Sequence, residues 1–269
     1  MKKTILLLAL AAMLLLTACG QTPTTDPVAD ENPTEKVTIY IPATTTAVKP
    51  DGTEQITMRY VLEEGWQDKE RFSLNVQVED PSGLLDEEAN MVNLMTITYS
   101  EKRTVQGMGG NYSTETVFDE NGRAISQTMT YLIETAPYEK KETFMTYDAF
   151  GRLLTQETKT YTRGETEPQV TVTTVNYTET DIGSEGRSED GDITYVRVYD
   201  KNYRLVCQST LVNGEELTRT EQEFDVAGNM VRMVSYSYGQ KMVETAYTFT
   251  AVEVSAEFAA RMPQFNREK

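Results

Sequence analysis

Apolar and polar residues alternate along most of this chain. In Val243-Glu244-Thr245-Ala246-Tyr247-Thr248-Phe249, Val243, Tyr247 and Phe249 share one side, while Glu244 and Thr248 take the other. In Tyr195-Val196-Arg197-Val198-Tyr199, Val196 and Val198 point opposite to Arg197. A period of two predicts strands, and the abundance of Thr, Val, Tyr and Phe suits half-buried pleated surfaces. The first predicted strand is Val37–Ile41, stopped by Pro42. Leu85–Met91 and Ser255–Arg261, where Ala and Glu cluster, are the weak helical candidates. The pattern predicts an all-β fold.

One corner recurs between the strands. Phe118-Asp119-Glu120-Asn121-Gly122-Arg123, Tyr147-Asp148-Ala149-Phe150-Gly151-Arg152, Tyr199-Asp200-Lys201-Asn202-Tyr203-Arg204 and Phe224-Asp225-Val226-Ala227-Gly228-Asn229 align, with starts 29, 52 and 25 residues apart. The middle spacing is about two periods, and Tyr177 sits where a degenerate copy falls. Each copy reads as a hairpin. The aromatic packs across to the outgoing strand, the Asp accepts from backbone N–H groups two residues on, and Gly takes the left-handed conformation. Tyr203 replaces Gly in the third copy, which predicts a different turn there, with Asn202 left-handed.

These corners resemble the YD repeats of the RHS family, whose pattern is Tyr-Asp-x-x-Gly-Arg-Leu. Tyr147–Leu153 matches it fully, and the likeness covers roughly residues 95–250. The resemblance implies an elongated, curved antiparallel sheet of successive hairpins, in which each hairpin is stabilised by its neighbours. It does not imply a hollow shell around a toxin, because the chain is too short and lacks a toxin segment at its C-terminus.

The front of the chain has its own signature. Met1-Lys2-Lys3 precedes an apolar run, Ile5–Leu16, then Leu16-Thr17-Ala18-Cys19-Gly20. This is the layout of an export signal, and the Cys after Leu-Thr-Ala resembles the lipobox of bacterial lipoproteins. The resemblance implies cleavage after residue 18 and diacylation of Cys19, an anchor in membrane lipid. The apolar run is shorter than the ~20 residues that span a bilayer. Residues 19–35 are rich in Thr, Pro and acid and read as a flexible tether. Residues 36–269 then form the β-repeat domain.

Composition narrows the function. The net charge of −17 argues against nucleic acid and against lying flat on anionic lipid. The chain has no histidine, which removes Ser-His-Asp and Cys-His sites and His-based zinc sites. If Cys19 is acylated, Cys207 has no partner, and Leu205-Val206-Cys207-Gln208 reads as a strand with a buried, inert thiol. Gly107–Gly110 lacks the Lys-Ser/Thr of a phosphate loop and reads as a flexible hairpin loop. Asp181–Asp192 reads as a solvated acidic loop, with Ca²⁺ ligation by its oxygens as the alternative, although it lacks EF-hand spacing. Trp66 sits on a loop, either exposed or as a partial core residue. No catalytic, metal or cofactor residues are assigned. The expectation is a non-enzymatic binding or structural module, lipid-anchored outside the cytoplasm, whose partner is an envelope protein or a glycan. The alternative is a lipid or small-ligand carrier with an apolar groove in the curved sheet.

Overall fold

The computed structural model describes residues 35–48, 51–79, 91–108 and 111–267. The signal segment, Cys19, the tether to residue 34 and all of Leu85–Met91 before Met91 lie outside the described residues. The strands, all in one antiparallel sheet, are β1 (Lys36–Val48), β2 (Glu54–Leu62), β3 (Phe72–Glu79), β4 (Met91–Ser100), β5 (Arg103–Met108), β6 (Tyr112–Phe118), β7 (Ala124–Tyr131), β8 (Tyr138–Tyr147), β9 (Leu153–Thr162), β10 (Gln169–Thr174), β11 (Asn176–Thr180), β12 (Gly183–Asp190), β13 (Ile193–Asp200), β14 (Leu205–Val212), β15 (Glu215–Phe224), β16 (Met230–Ser237), β17 (Gln240–Ser255) and β18 (Asn266–Arg267). One helix, α1 (Ala256–Arg261), joins β17 to β18.

The sheet is a near-closed barrel, not the elongated curved sheet expected from the hairpin pattern. Consecutive strands pair as neighbours, a long-range pairing joins the first strand to β17, and a strand shared between two neighbours completes the ring. β1 pairs with β17 from Lys36↔Ser255 to Ala47↔Thr245. Opposite that junction, β10 and β11 are one extended stretch interrupted at Val175. Its first half pairs with β9 and its second with β12, while Val175 donates its N–H to the Leu154 carbonyl at 2.9 Å. Closure pairs β1 with β17, the terminal strands that an open repeat would expose as edges.

Because the strands alternate in direction, the four aromatic-Asp corners lie at one end of the barrel. The hairpins β7–β8, β9–β10, β12–β13, β14–β15 and β16–β17 form the opposite rim. Side-chain direction is continuous around the circumference. From Thr116 on β6, directly paired residues run through Gln127, Thr143 and Thr158 to Thr171 on β10. Beyond the junction they run through Gly186, Arg197, Gln208, Thr220 and Ser235 to Val243 on β17. This set contains the buried residues Thr114, Thr116, Ser184, Ser188, Gln222 and Thr245, and is the inner face.

The apolar core fills one quadrant of that face. Ile39, Ile41, Met58, Phe72, Leu74, Val76, Met95, Ile97 and Tyr99 on β1–β4 pack against Phe258, Ala259, Met262 and Phe265 from α1 and the segment after it. Phe72 stacks on Tyr99, with ring centroids 5.2 Å apart, and Trp66 meets Phe258 edge-on at 5.5 Å. Trp66 is thus a core residue. Ser255 caps α1, accepting from the Phe258 N–H at 3.1 Å, which places the second helical candidate on a helix.

Three local expectations change. Pro42 does not stop β1, because a bulge between Pro42 and Thr44 absorbs it and the pairing resumes. Gly107 lies within β5, paired with Thr96 and Ser113, although Gly109 and Gly110 lie outside the described residues. The acidic segment after Asp181 is strand β12, paired with β13 along its length and with β11 as far as Arg187, with alternate small residues Ser184, Gly186 and Ser188 on the inner side. Glu185 and Glu189 alternate with them on the outer face, while Asp190 ends the strand on the inner side at the rim.

Candidate functional site

The four corners share one bonding scheme. In each, the Asp backbone N–H donates to the carbonyl of the residue four on, at 2.9 Å, and the residue three on donates back to the Asp carbonyl. One carboxylate oxygen of Asp119, Asp148, Asp200 and Asp225 accepts the backbone N–H of Arg123, Arg152, Arg204 and Asn229 respectively. The other oxygen accepts that residue's side chain at 2.7–2.9 Å. Gly122, Gly151 and Gly228 have φ of 74°, 83° and 89°. The third corner does not switch geometry: Tyr203 itself adopts φ 59°, and the Asp200 bonds are the same. Its ring stacks on Phe150 at 4.7 Å across the end of the barrel, which offsets part of the cost of a left-handed non-glycine residue.

Neighbouring corners interlock. The Arg123 guanidinium covers the Tyr147 ring at 5.1 Å, Arg152 covers Tyr177 at 4.3 Å, and Arg204 covers Phe224 at 5.4 Å. Tyr147 and Tyr177 donate hydroxyls to the carbonyls of Ala124 and Leu153 at 2.7 and 2.6 Å. Arg152 is buried between Asp148 and Glu179, each at 2.7 Å. Burial alone pulls its pKa down, and the bonds to Glu179 and Asp148 outweigh that effect and raise it. The segment after α1 closes the rest of this end. Lys102 donates its N–H to Arg261 O, the Asn266 amide reaches Gly228 O and Asn229 Oδ1 at 3.0 Å, and Pro263 O lies against Gly122.

Away from the filled quadrant the inner wall is polar. Thr, Ser and Gln dominate it, with Tyr177, Tyr195, Tyr199 and the two cations Lys141 and Arg197. Near the corners these residues are buried. Toward the rim Lys141, Gln169, Thr171 and Thr218 are exposed. Arg197 reaches Ser188 Oγ at 3.4 Å. Burial pushes the Tyr177 and Tyr247 phenols up.

The outer wall is charged. Arg103–Glu115 (2.6 Å), Lys140–Glu142 (2.8 Å), Lys159–Glu157 (3.1 Å), Arg187–Glu185 (2.7 Å) and Arg232–Glu244 (2.8 Å) place ion pairs around the circumference. Cys207 also lies on this side, half-buried, opposite Glu221 on β15. Burial raises its thiol pKa, which disfavours the reactive thiolate. Among the described residues no group of three or more acids and thiols converges as a metal site. None of their helices is long and apolar enough to cross a membrane.

No protein-family model matches this chain, and no curated protein matches it. Among solved structures it is similar to a porin-like protein from Bacteroides uniformis, at 10% identity over 82% of this chain and 99% of that one, with a TM-score of 0.41. A porin-like protein from Bacteroides vulgatus is similar at 10% identity over 78% and 98%, with a TM-score of 0.37. Overlap this loose assigns no role to the present chain, whose own two faces carry the functional reading.

Proposed function

We propose that this protein is a non-enzymatic binding or structural β-barrel of the bacterial envelope, held outside the cytoplasmic membrane by an acylated Cys19. The observation that carries the reading is the polarity of the wall. A barrel in a bilayer turns an apolar band outward, and a Lys or Arg at the midplane costs about 2–4 kcal/mol. Here ion pairs ring the outside, so the barrel belongs in water and attachment falls to the front of the chain. The partner is an envelope protein or a glycan, met by the hydroxyl- and amide-rich inner wall and the rim. The lack of any histidine supports a non-catalytic role. The apolar-groove carrier loses its support, because the apolar quadrant is filled by Phe258, Met262 and Phe265.

Fractionation of cells expressing the full chain tests this reading. The wild type is expected with the membranes and Cys19→Ala in the soluble fraction. A Cys19→Ala protein that stays with the membranes and needs detergent for extraction would overturn it.

A further inference from the structure

Closure of the barrel leaves one strand edge open. Val175 bonds to β9, so by antiparallel alternation Thr173, Thr171 and Gln169 do so as well. The even-numbered residues turn their backbone N–H and C=O groups the other way. In β11 those groups meet β12, at Asn176↔Arg187, Thr178↔Glu185 and Thr180↔Gly183. In β10 they belong to Val170, Val172 and Thr174, and among the described residues no strand pairs with them. β12 continues to Asp190, but beyond Arg187 its partner is β13 alone. A seam therefore opens between β10 and the end of β12 toward the rim.

The strand itself lacks the usual protections of an exposed edge, although Pro168 stands just before it. Gln169-Val170-Thr171-Val172-Thr173-Thr174 contains no charge, no proline and no bulge. Val170 and Val172 are 51% and 61% exposed. The surroundings are acidic: Glu165 and Glu167 precede β10, and Glu189, Asp190 and Asp192 line the opposite lip.

We propose that the free edge of β10 takes up an extended basic peptide segment of a partner protein as an added strand. Main-chain bonds to Val170 and Val172, where the seam is widest, supply the attachment, and the five carboxylates select Lys- or Arg-bearing segments. The same charges disfavour other occupants. The chain's own front segment carries Asp26, Asp30, Glu31 and Glu35, and a second copy would bring two acidic frames together. The proposal deepens the binding-module reading, but its test is independent of the anchor, so membrane fractionation and peptide capture can fail separately.

The test uses the full-length chain in detergent and fluorescent, end-capped nonapeptides in which Lys alternates with Val and Thr. Anisotropy is expected to show saturable binding of the Lys peptide, weaker by about tenfold or more for its Glu counterpart. N-methylation of the edge-facing amides of the peptide is expected to abolish binding, because strand addition needs those N–H groups. Val172→Pro removes an N–H that faces the seam and spares the β9 ladder. It is expected to retain the wild-type circular dichroism and lose the peptide. Equal binding of the N-methylated peptide, retention by folded Val172→Pro, or no binding of the Lys peptide would overturn the proposal. If Val172→Pro does not fold, the N-methyl series on the wild type decides. A concentration-dependent dimer that competes with the peptide would assign the edge to a second copy, and would equally overturn it.

Discussion

The Tyr147 hydroxyl donates to the Ala124 carbonyl at 2.7 Å, tying the second corner to the first residue of the strand that leaves the corner before it. Tyr177 repeats the contact on Leu153, so the corners form a chain of donors along one end of the barrel. Tyr147→Phe keeps the ring under Arg123 and removes only the hydroxyl. A loss of about 1 kcal/mol is expected, a fall of about 2–4 °C in melting temperature for a chain of this size. An unchanged melt would mean that the corners do not brace one another.

Tyr203 separates backbone strain from ring stacking. Its left-handed backbone costs about 1–2 kcal/mol, and its stack on Phe150 returns about 0.5–1.5 kcal/mol. Tyr203→Gly removes both and is expected to melt close to the wild type. Tyr203→Ala keeps the strain, loses the stack, and is expected to fall below both. Equal melts for the two variants would refute this division.

Gly122 is fixed by a neighbour as well as by its own φ. A Cβ there would lie 2.1 Å from Pro263 O, whereas Gly214, at φ 83°, has nothing within 4 Å. Gly214→Ala is expected to cost about 1 kcal/mol. Gly122→Ala is expected to cost clearly more and to speed hydrogen exchange across residues 262–267, the segment that closes the barrel end. Equal melting and exchange in the two variants would remove that segment's closing role.

Glu244 makes the outer wall sensitive to acid. Hydrogen bonds from Lys241 and then Arg232 hold its carboxyl below the ordinary 4.5. A lowered folded pKa means that the stabilisation is present above the unfolded value and is lost as pH falls through the folded one. Denaturant unfolding at stepped pH is therefore expected to weaken below about pH 4.5, and Glu244→Gln to flatten that acid limb. High salt is expected to shrink the difference. Identical pH curves for variant and wild type would contradict this role.

Local chemistry was legible in the sequence, and ring closure was not. Strands were readable because their period of two is written in adjacent residues. The bond from each Asp to the N–H two residues on was readable and is made at Asp119, Asp148 and Asp200, whereas the bonds to the residue four on were not. Closure depends on β1 meeting β17, more than 200 residues along, and on Val175 handing one strand from β9 to β12. No short window of sequence records either event. Alternation also shows two faces without saying which is inside: Arg197 points inward and Val198 outward, because a barrel this wide is not filled by side chains from every strand. At Tyr203 the residue type predicted a different turn, and a stacking partner 53 residues away in sequence prevailed.

We propose that the barrel wall stands in water while the chain is held at a membrane. Nitroxide labels at Glu157→Cys and Glu223→Cys, in a Cys207→Ser background, test it in the acylated full chain reconstituted into lipid vesicles. Strong relaxation by a water-soluble nickel chelate and weak relaxation by oxygen at both sites is the expected result. The reverse pattern, oxygen strong and the chelate excluded, would place the wall in hydrocarbon and contradict the account.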